Sequence, residues 1–446
     1  MEMFKEASGT ASAKKPGLVV WILVAILVGG VLGSVLPDWG MRALNTFRCA
    51  FLDFVKFLVP LIVFTFMVPA IADAGKGAGK MLFLTLGLAY AMTLLAGGFS
   101  FVTSNFALPH LVTGDIEVVA AKTGLPPYFT LSLTPVIGIG ASVVLAILTG
   151  IGIGARGGDE ILSLVKQFRD IVSWALSGVV MPLLPVYVMT VVANIASTGA
   201  LLSVGTMFAG LLFCCIAMSM ALVVVQYLVA GALSGHNPFN ALRCMLPAYL
   251  TGLACCSSAA TMPVTLRQAK SLGVNKATAE LVVPISANVH LSGSICNMVA
   301  FSIGVLILAG KPLTPAGFAQ FILQASIVAV AGIPGGMVLA SSAIAESLLG
   351  ISPDLYSIVM VLYMLLDGVG TGCNVIGGGA IAMIVDRYCG QGLGNDVPVQ
   401  AQQMGFAART APAAWPIPQL FGATSRGRPS WGDRRPARRS RTGRAS

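Results

Sequence analysis

Charged side chains are what this sequence has least of. They make up 10% of its 446 residues, against about 25% in a soluble domain. None occurs between Asp170 and Arg243, or between Glu280 and Lys311. Such runs exclude a soluble globular fold, because a bilayer core takes about 20 apolar residues per helix. The nine cysteines show no C-x-x-C spacing. That removes the usual redox and zinc patterns and leaves small buried hydrophobes. A secretory leader is not indicated either. The apolar run after MEMFKEASGTASAKK is too long for a signal-peptide core and reads as a first span.

What is present is apolar: 56% of the chain, with a mean hydropathy of +0.86. Spans are expected at Leu18–Leu36, Phe47–Ala72, Met81–Asn105, Thr134–Ile153, Val165–Ala196 and Leu202–Leu233. Lys14, Lys15, Lys76 and Lys80 fall on one side of a first hairpin, which puts the N-terminus in the cytoplasm by the positive-inside rule. Lys56 is expected to snorkel, and Arg267 and Glu280 to be interfacial. The net charge of +10 owes much to Arg426–Arg444, where eight arginines face Asp433 alone. Such a segment can attract anionic lipid or nucleic acid; the plainer reading, adopted here, is a basic disordered cytoplasmic tail without a nucleic-acid role.

The second half reads differently. Asn237–Met262 is broken by LTGLACCSSAATMP, and Pro315–Ser342 by VAVAGIPGGM. Each precedes a long apolar helix, Ala277–Leu308 and Leu355–Cys389, with its own polar, glycine-containing interruption: Asn288–Gly293 in one, Asp367–Asn374 in the other. Paired interrupted segments at matching places in two halves point to a transporter site. Irregular backbone at membrane depth is tolerated only where it is buried in protein or lines a wet cavity, and the start of a half-helix can grip an anion.

Asp367 is the sole charge between Asp354 and Asp386. A carboxylate in mid-span costs at least ~2.5–3.5 kcal/mol, so its default reading is functional. Thr371 and Asn374 follow at one and two turns on nearly the same face. The alternative is a structural carboxylate paired with a helix end or a buried hydroxyl.

From about Lys15 to Gly390 the chain resembles the dicarboxylate/amino acid:cation symporter family. The resemblance is most specific in SSAATMPVTLRQAKSLGVNKATAELVVPISANVHLSGS, in GIPGG at Gly332–Gly336, in LLDGVGTGCNVIGG and in FVKFLVPLIVFTFMVPAIAD. It implies an all-α polytopic membrane protein with eight transmembrane helices, two re-entrant helical hairpins and an inverted repeat. The parts would be a cytoplasmic N-terminus at 1–15, a scaffold-rich half of six spans at 16–234, a transport core at 235–390 and the tail at 391–446. It also implies a homotrimer, an elevator-like movement and a bacterial inner-membrane location with both termini cytoplasmic.

By the same resemblance Asp367 holds a substrate amine and Asn374 touches its carboxylate beside Thr371. The serine-rich tip at Ser257 and Ser258 takes the carboxylate, and Ser294 with the second tip, Gly332, Ile333, Pro334 and Gly335, completes the pocket. The departures matter as much. Acidic-substrate members carry an arginine where this chain has Gly370 or, alternatively, Cys256. A second substrate carboxylate would then be buried without a guanidinium, which costs several kcal/mol. The family's Asn-Met-Asp motif is His290-Leu291-Ser292 here, a second sodium carboxylate is Gly378, and a third-span Thr-Ser pair is Gly87-Leu88. Sodium prefers several oxygens with carboxylate charge among them, so the metal site at Ser292 and Gly378 lacks its usual ligands.

The expectation is a symporter for a small neutral amino acid in a lipid bilayer, with no cofactor and with H+ or Na+ as coupling ion. Cation-coupling candidates are His290, Asn288, Ser292 and Asn374. His290 either couples a proton or is a neutral histidine satisfied by a neighbour such as Asn288. Competing readings are a dicarboxylate or acidic amino acid symporter, a non-transporting sensor, and a cysteine enzyme using Cys256 or Cys373 with His290.

Overall fold

A computed structural model describes residues 18–74, 79–111, 125–131, 133–199, 201–328 and 334–390. The expected tail, the cytoplasmic N-terminus, Lys14, Lys15, Lys76, Gly332 and Ile333 lie outside the described residues. Among the described residues there is no strand.

The first half is a series of mostly apolar helices: α1 (Leu18–Val35), α2 (Asp38–Ala74), α3 (Gly79–Leu111), α4 (Ile139–Arg156), the amphipathic α5 (Asp159–Ala175), α6 (Met181–Ser197) and α7 (Leu201–Ser234). A single π turn, Leu176–Val180, joins α5 to α6, so that Asp159–Ser197 reads as one continuous rod with an apolar stretch long enough for a span. α1 lies along α6 with almost no side chain between them. A Cβ on Gly29 would stand 2.5 Å from the Met189 carbonyl oxygen, and one on Gly33 would stand 2.1 Å from that of Ala193. Small residues one turn apart allow this backbone approach, the packing device of lipid-embedded helices. The other side of α1 shows Leu27, Val31 and Val35 to the surroundings.

The second half is built from shorter pieces. α8 (Pro238–Cys255) and α9 (Ser258–Ser271) pack on each other around a two-residue turn. α10 (Lys276–Val289) and α11 (Ser292–Leu308) are separated at His290–Leu291. α12 (Pro315–Val328) and α13 (Gly336–Leu349) form a second packed pair. α14 (Pro353–Cys389) then runs without a break through the glycine-rich segment. This corrects the expected interruption of the last span. Its glycines do not free the backbone; they admit neighbours. A Cβ on Gly368 would meet the Leu253 carbonyl at 2.4 Å, and one on Gly372 would meet the Tyr249 ring at 2.7 Å.

Among the described residues, six helical segments are long and apolar enough to cross a membrane. They differ in surroundings. The apolar windows of Lys276–Leu308 and Pro353–Cys389 are 94% and 89% buried, those of Lys80–Leu111 and Phe208–Ser234 only 33% and 39%. The protein is therefore a polytopic helical membrane protein whose last helices form a core wrapped by the others.

Two ion pairs tie α2 to that core. Arg48 reaches Asp354 at 2.7 Å and donates to Asn45 Oδ1, also at 2.7 Å. Lys56 pairs with Glu346 on α13 at 2.7 Å, so its charge is met by a partner instead of snorkelling. Glu280 likewise pairs with Lys270, at 2.7 Å. All nine cysteines are free thiols, most of them buried or half-buried.

Candidate functional site

The site is assembled by α14, which supplies side chains to the starts of two other helices. Asp367 is buried, and its Oδ2 accepts a 2.8 Å hydrogen bond from the Gly335 N–H. Gly335 is the residue that opens α13, in the left-handed region at φ 69°. A side chain there would also collide with Met364 on α14. Glycine thus allows the tip of the second pair to rest on Asp367, and the carboxylate faces the positive end of a helix. Tyr363, one turn earlier on α14, lies beside Asp367. No cationic side chain among the described residues balances the charge.

The α8–α9 turn reaches the same place from the other side. Cys256 has φ 50°, the one positive φ outside glycine among the described residues, a conformation costing about 1–2 kcal/mol for an L-residue. It turns the chain into Ser257, whose hydroxyl accepts from the Ala260 N–H and caps α9. Ser258 follows, buried. The Cys256 sulfur packs near Gly368, beside Asp367. Both tips therefore meet α14 at one level.

Asn374 serves the interrupted helix. Its Oδ1 accepts from the N–H groups of Gly293, at 2.8 Å, and Ser294, at 3.2 Å, which opens α11 in the manner of a cap supplied from another helix. Its Nδ2 donates to Ser294 Oγ at 2.7 Å, and Tyr363 lies next to Ser294. Asn374, Ser294, Tyr363 and Asp367 thus form one buried polar row. Thr371 is buried on α14 between its ends.

His290 is fully buried at the break. Its Nε2 lies 2.9 Å from Ser292 Oγ, and its Nδ1 lies 3.4 Å from the Ala89 carbonyl on α3. A carbonyl only accepts, so Nδ1 carries the hydrogen that faces Ala89, and Nε2 is paired with the Ser292 hydroxyl. The freed Leu291 N–H donates to Thr93 Oγ1 at 3.1 Å. Asn288 does not join this cluster. It is exposed and donates to the Pro284 carbonyl at 2.8 Å, because the last turn of α10 turns it away from α14. The histidine is satisfied by Ser292 and Ala89 instead. Gly378 faces Ser286, whose Cβ would lie 3.1 Å from a Cβ at 378.

As for a cation, no group of three or more His, Cys, Asp or Glu side chains gathers among the described residues. Ser292 and His290 are occupied with each other, and Asn374 with α11. The cysteine constellation does not form either. The Cys256 thiol donates to the Leu253 carbonyl and Cys373 to that of Ser219, while both nitrogens of His290 are engaged elsewhere.

Sequence reasoning brought together Asp367, Thr371, Asn374, Ser294, Ser258 and Gly335. It missed Tyr363, Thr93 and the Ala89 carbonyl. Tyr363 was findable, since it lies one turn before Asp367 on the same face; the contacts from α3 carry no local signal.

The family described as the sodium:dicarboxylate symporter family matches residues 18–388. A serine/threonine transporter, SstT, of Streptococcus agalactiae serotype III is 26% identical over 365 residues, 76% of this chain and 87% of that protein. Its namesake in Acinetobacter baumannii strain AYE is 26% identical over 379 residues, 80% of this chain and 93% of that protein. With a match that runs from α1 to the last turn of α14, the chain belongs to the sodium:dicarboxylate symporter family and is a membrane transport protein, not an enzyme.

Proposed function

We propose that the protein is a secondary active symporter for a small neutral amino acid, as the names of its relatives suggest. The observation that carries this is Asp367. A buried carboxylate held by one backbone N–H, with a phenol beside it and no cationic side chain against it, is matched to a ligand ammonium. Gly370 leaves no guanidinium for a second carboxylate, which disfavours acidic substrates. The substrate carboxylate would be taken by the α8–α9 tip at Ser257 and Ser258 and by Asn374, with Thr371, Ser294, Pro334 and Gly335 around it. Gly332 and Ile333 complete the second tip in this reading.

The finer architecture belongs to the same proposal. α1, α2, α3, α4, α5–α6, α7, α10–α11 and α14 are eight spans, and α8–α9 and α12–α13 are two re-entrant hairpins. The segment from about Asn237 onward would move as the larger part of a transport unit against the first, second, fourth and fifth spans, in a homotrimer. The site would sit in a bacterial inner membrane with both termini in the cytoplasm. Coupling is to sodium at a reduced number of sites, or to protons. The replacement of two carboxylates by Ser292 and Gly378 supports this departure from the family norm.

The test is thermal stabilisation of purified protein by a panel of amino acids, with and without sodium, paired with counterflow in proteoliposomes. A neutral amino acid should stabilise the wild type and exchange across the membrane, and Asp367→Asn should lose both. Stabilisation untouched by Asp367→Asn would overturn the amine assignment. Binding without counterflow would favour the non-transporting sensor, which the eroded cation positions also fit.

A further inference from the structure

Opposite Gly370 stands Asn297, one turn beyond Ser294 on α11. It is 1% exposed. Its Oδ1 accepts from the Ser219 hydroxyl on α7 at 2.9 Å, which turns the other end of the amide toward α14. That Nδ2 is buried and has no hydrogen-bond partner. A Cβ placed on Gly370 would stand 3.2 Å from it. The missing side chain at 370 leaves the amide room against α14, at a level between Asp367 and Asn374.

An unpaired buried amide donor costs about 1–3 kcal/mol, and native proteins keep few of them. This one is not a loose end at the surface. A neighbour on another helix orients it, it lies on the turn after Ser294, the partner of Asn374, and it points at the position where acidic-substrate members carry an arginine. With an amine at Asp367 and a carboxylate toward Asn374, the substrate's side chain is the part left to face it. The donor is neutral, so it suits a hydroxyl oxygen and cannot balance a carboxylate.

We propose that Asn297 is a specificity-determining residue: its Nδ2 donates to a side-chain oxygen of the substrate and selects hydroxyl amino acids over alkyl ones of similar size. The inference rests on the amino-acid reading of Asp367 and goes further by assigning the side-chain contact. An alkyl substrate would leave the amide unpaired, and a site with a buried donor rejects such an analogue more strongly than a greasy pocket rejects a hydroxyl.

The experiment is competition of counterflow by L-serine and L-alanine, which differ by the one oxygen. Wild type should prefer serine by about tenfold or more. Asn297→Leu, close in size, should raise the serine inhibition constant by about tenfold and leave that of alanine level or lower. Ser219→Ala, which frees the amide to turn, should shift the same ratio less. Asn297→Ser, which keeps a hydroxyl donor, should retain part of the preference and decides the matter if Asn297→Leu does not fold. Constants for serine and alanine that rise together would mean a structural role and overturn the proposal. A wild type that treats the two alike would overturn it while leaving the amino-acid site standing. Competition by neither would take down the amino-acid reading itself.

Discussion

The α10–α11 segment and α14 sit side by side in the core and handle polar residues in opposite ways. One lets its backbone go at His290–Leu291; the other keeps every turn from Pro353 to Cys389. The difference lies in what neighbours offer. At the break, Thr93 takes the Leu291 N–H and Asn374 takes those of Gly293 and Ser294. Backbone groups released inside a membrane need such partners, each unmet one costing several kcal/mol. Along α14 glycine is abundant, yet its helix stays closed and gives Asp367 and Asn374 to the starts of α13 and α11. A break in a membrane helix is made by acceptors on other elements, and glycine alone does not make one.

The comparison can be broken most severely at Asn374. Asn374→Leu would strand the N–H groups of Gly293 and Ser294, and we expect a loss of about 2–5 kcal/mol, read as a large fall in thermal stability in detergent. If stability held, the break would not depend on α14. Thr93→Val keeps the shape and removes one acceptor. It should cost about 1–3 kcal/mol, with faster hydrogen exchange at Leu291 than at residues deeper in α11. The smallest effect sharpens the other side. Gly98→Ala in α3, where a Cβ would meet nothing within 4 Å, should stabilise by about 0.5–1 kcal/mol. Gly368→Ala should destabilise, since its Cβ would meet the Leu253 carbonyl. If both alanines stabilised, the glycines of α14 would not be there for contact.

These cases also mark what was legible beforehand. The first apolar segment, expected at Leu18–Leu36, is a helix at Leu18–Val35, because an uninterrupted apolar run dictates its own length. The clustering of Asp367, Thr371 and Asn374 followed from helical spacing alone. The intact α14 did not, since a polar, glycine-containing interruption has the same appearance whether it breaks or packs. Nor did Thr93, which lies 198 residues from Leu291, or the partner of Lys56, which lies 290 residues away. Periodicity reports a residue's own face and is silent on which distant helix comes to meet it. Asn288 shows the limit from the other side: two residues from His290, it sits on the opposite face.

The contact between α1 and α6 sets how freely the outermost helix can vary. Leu27, Val31 and Val35 look outward, and any apolar residue serves there as well as another. At Gly29 and Gly33 a single methyl group would press on a carbonyl oxygen of α6, which cannot rotate aside as a side chain would. Drift in this helix is therefore loosely constrained on its exposed side and nearly forbidden at two hydrogen atoms, so its place against α6 is specified by what those two residues leave out.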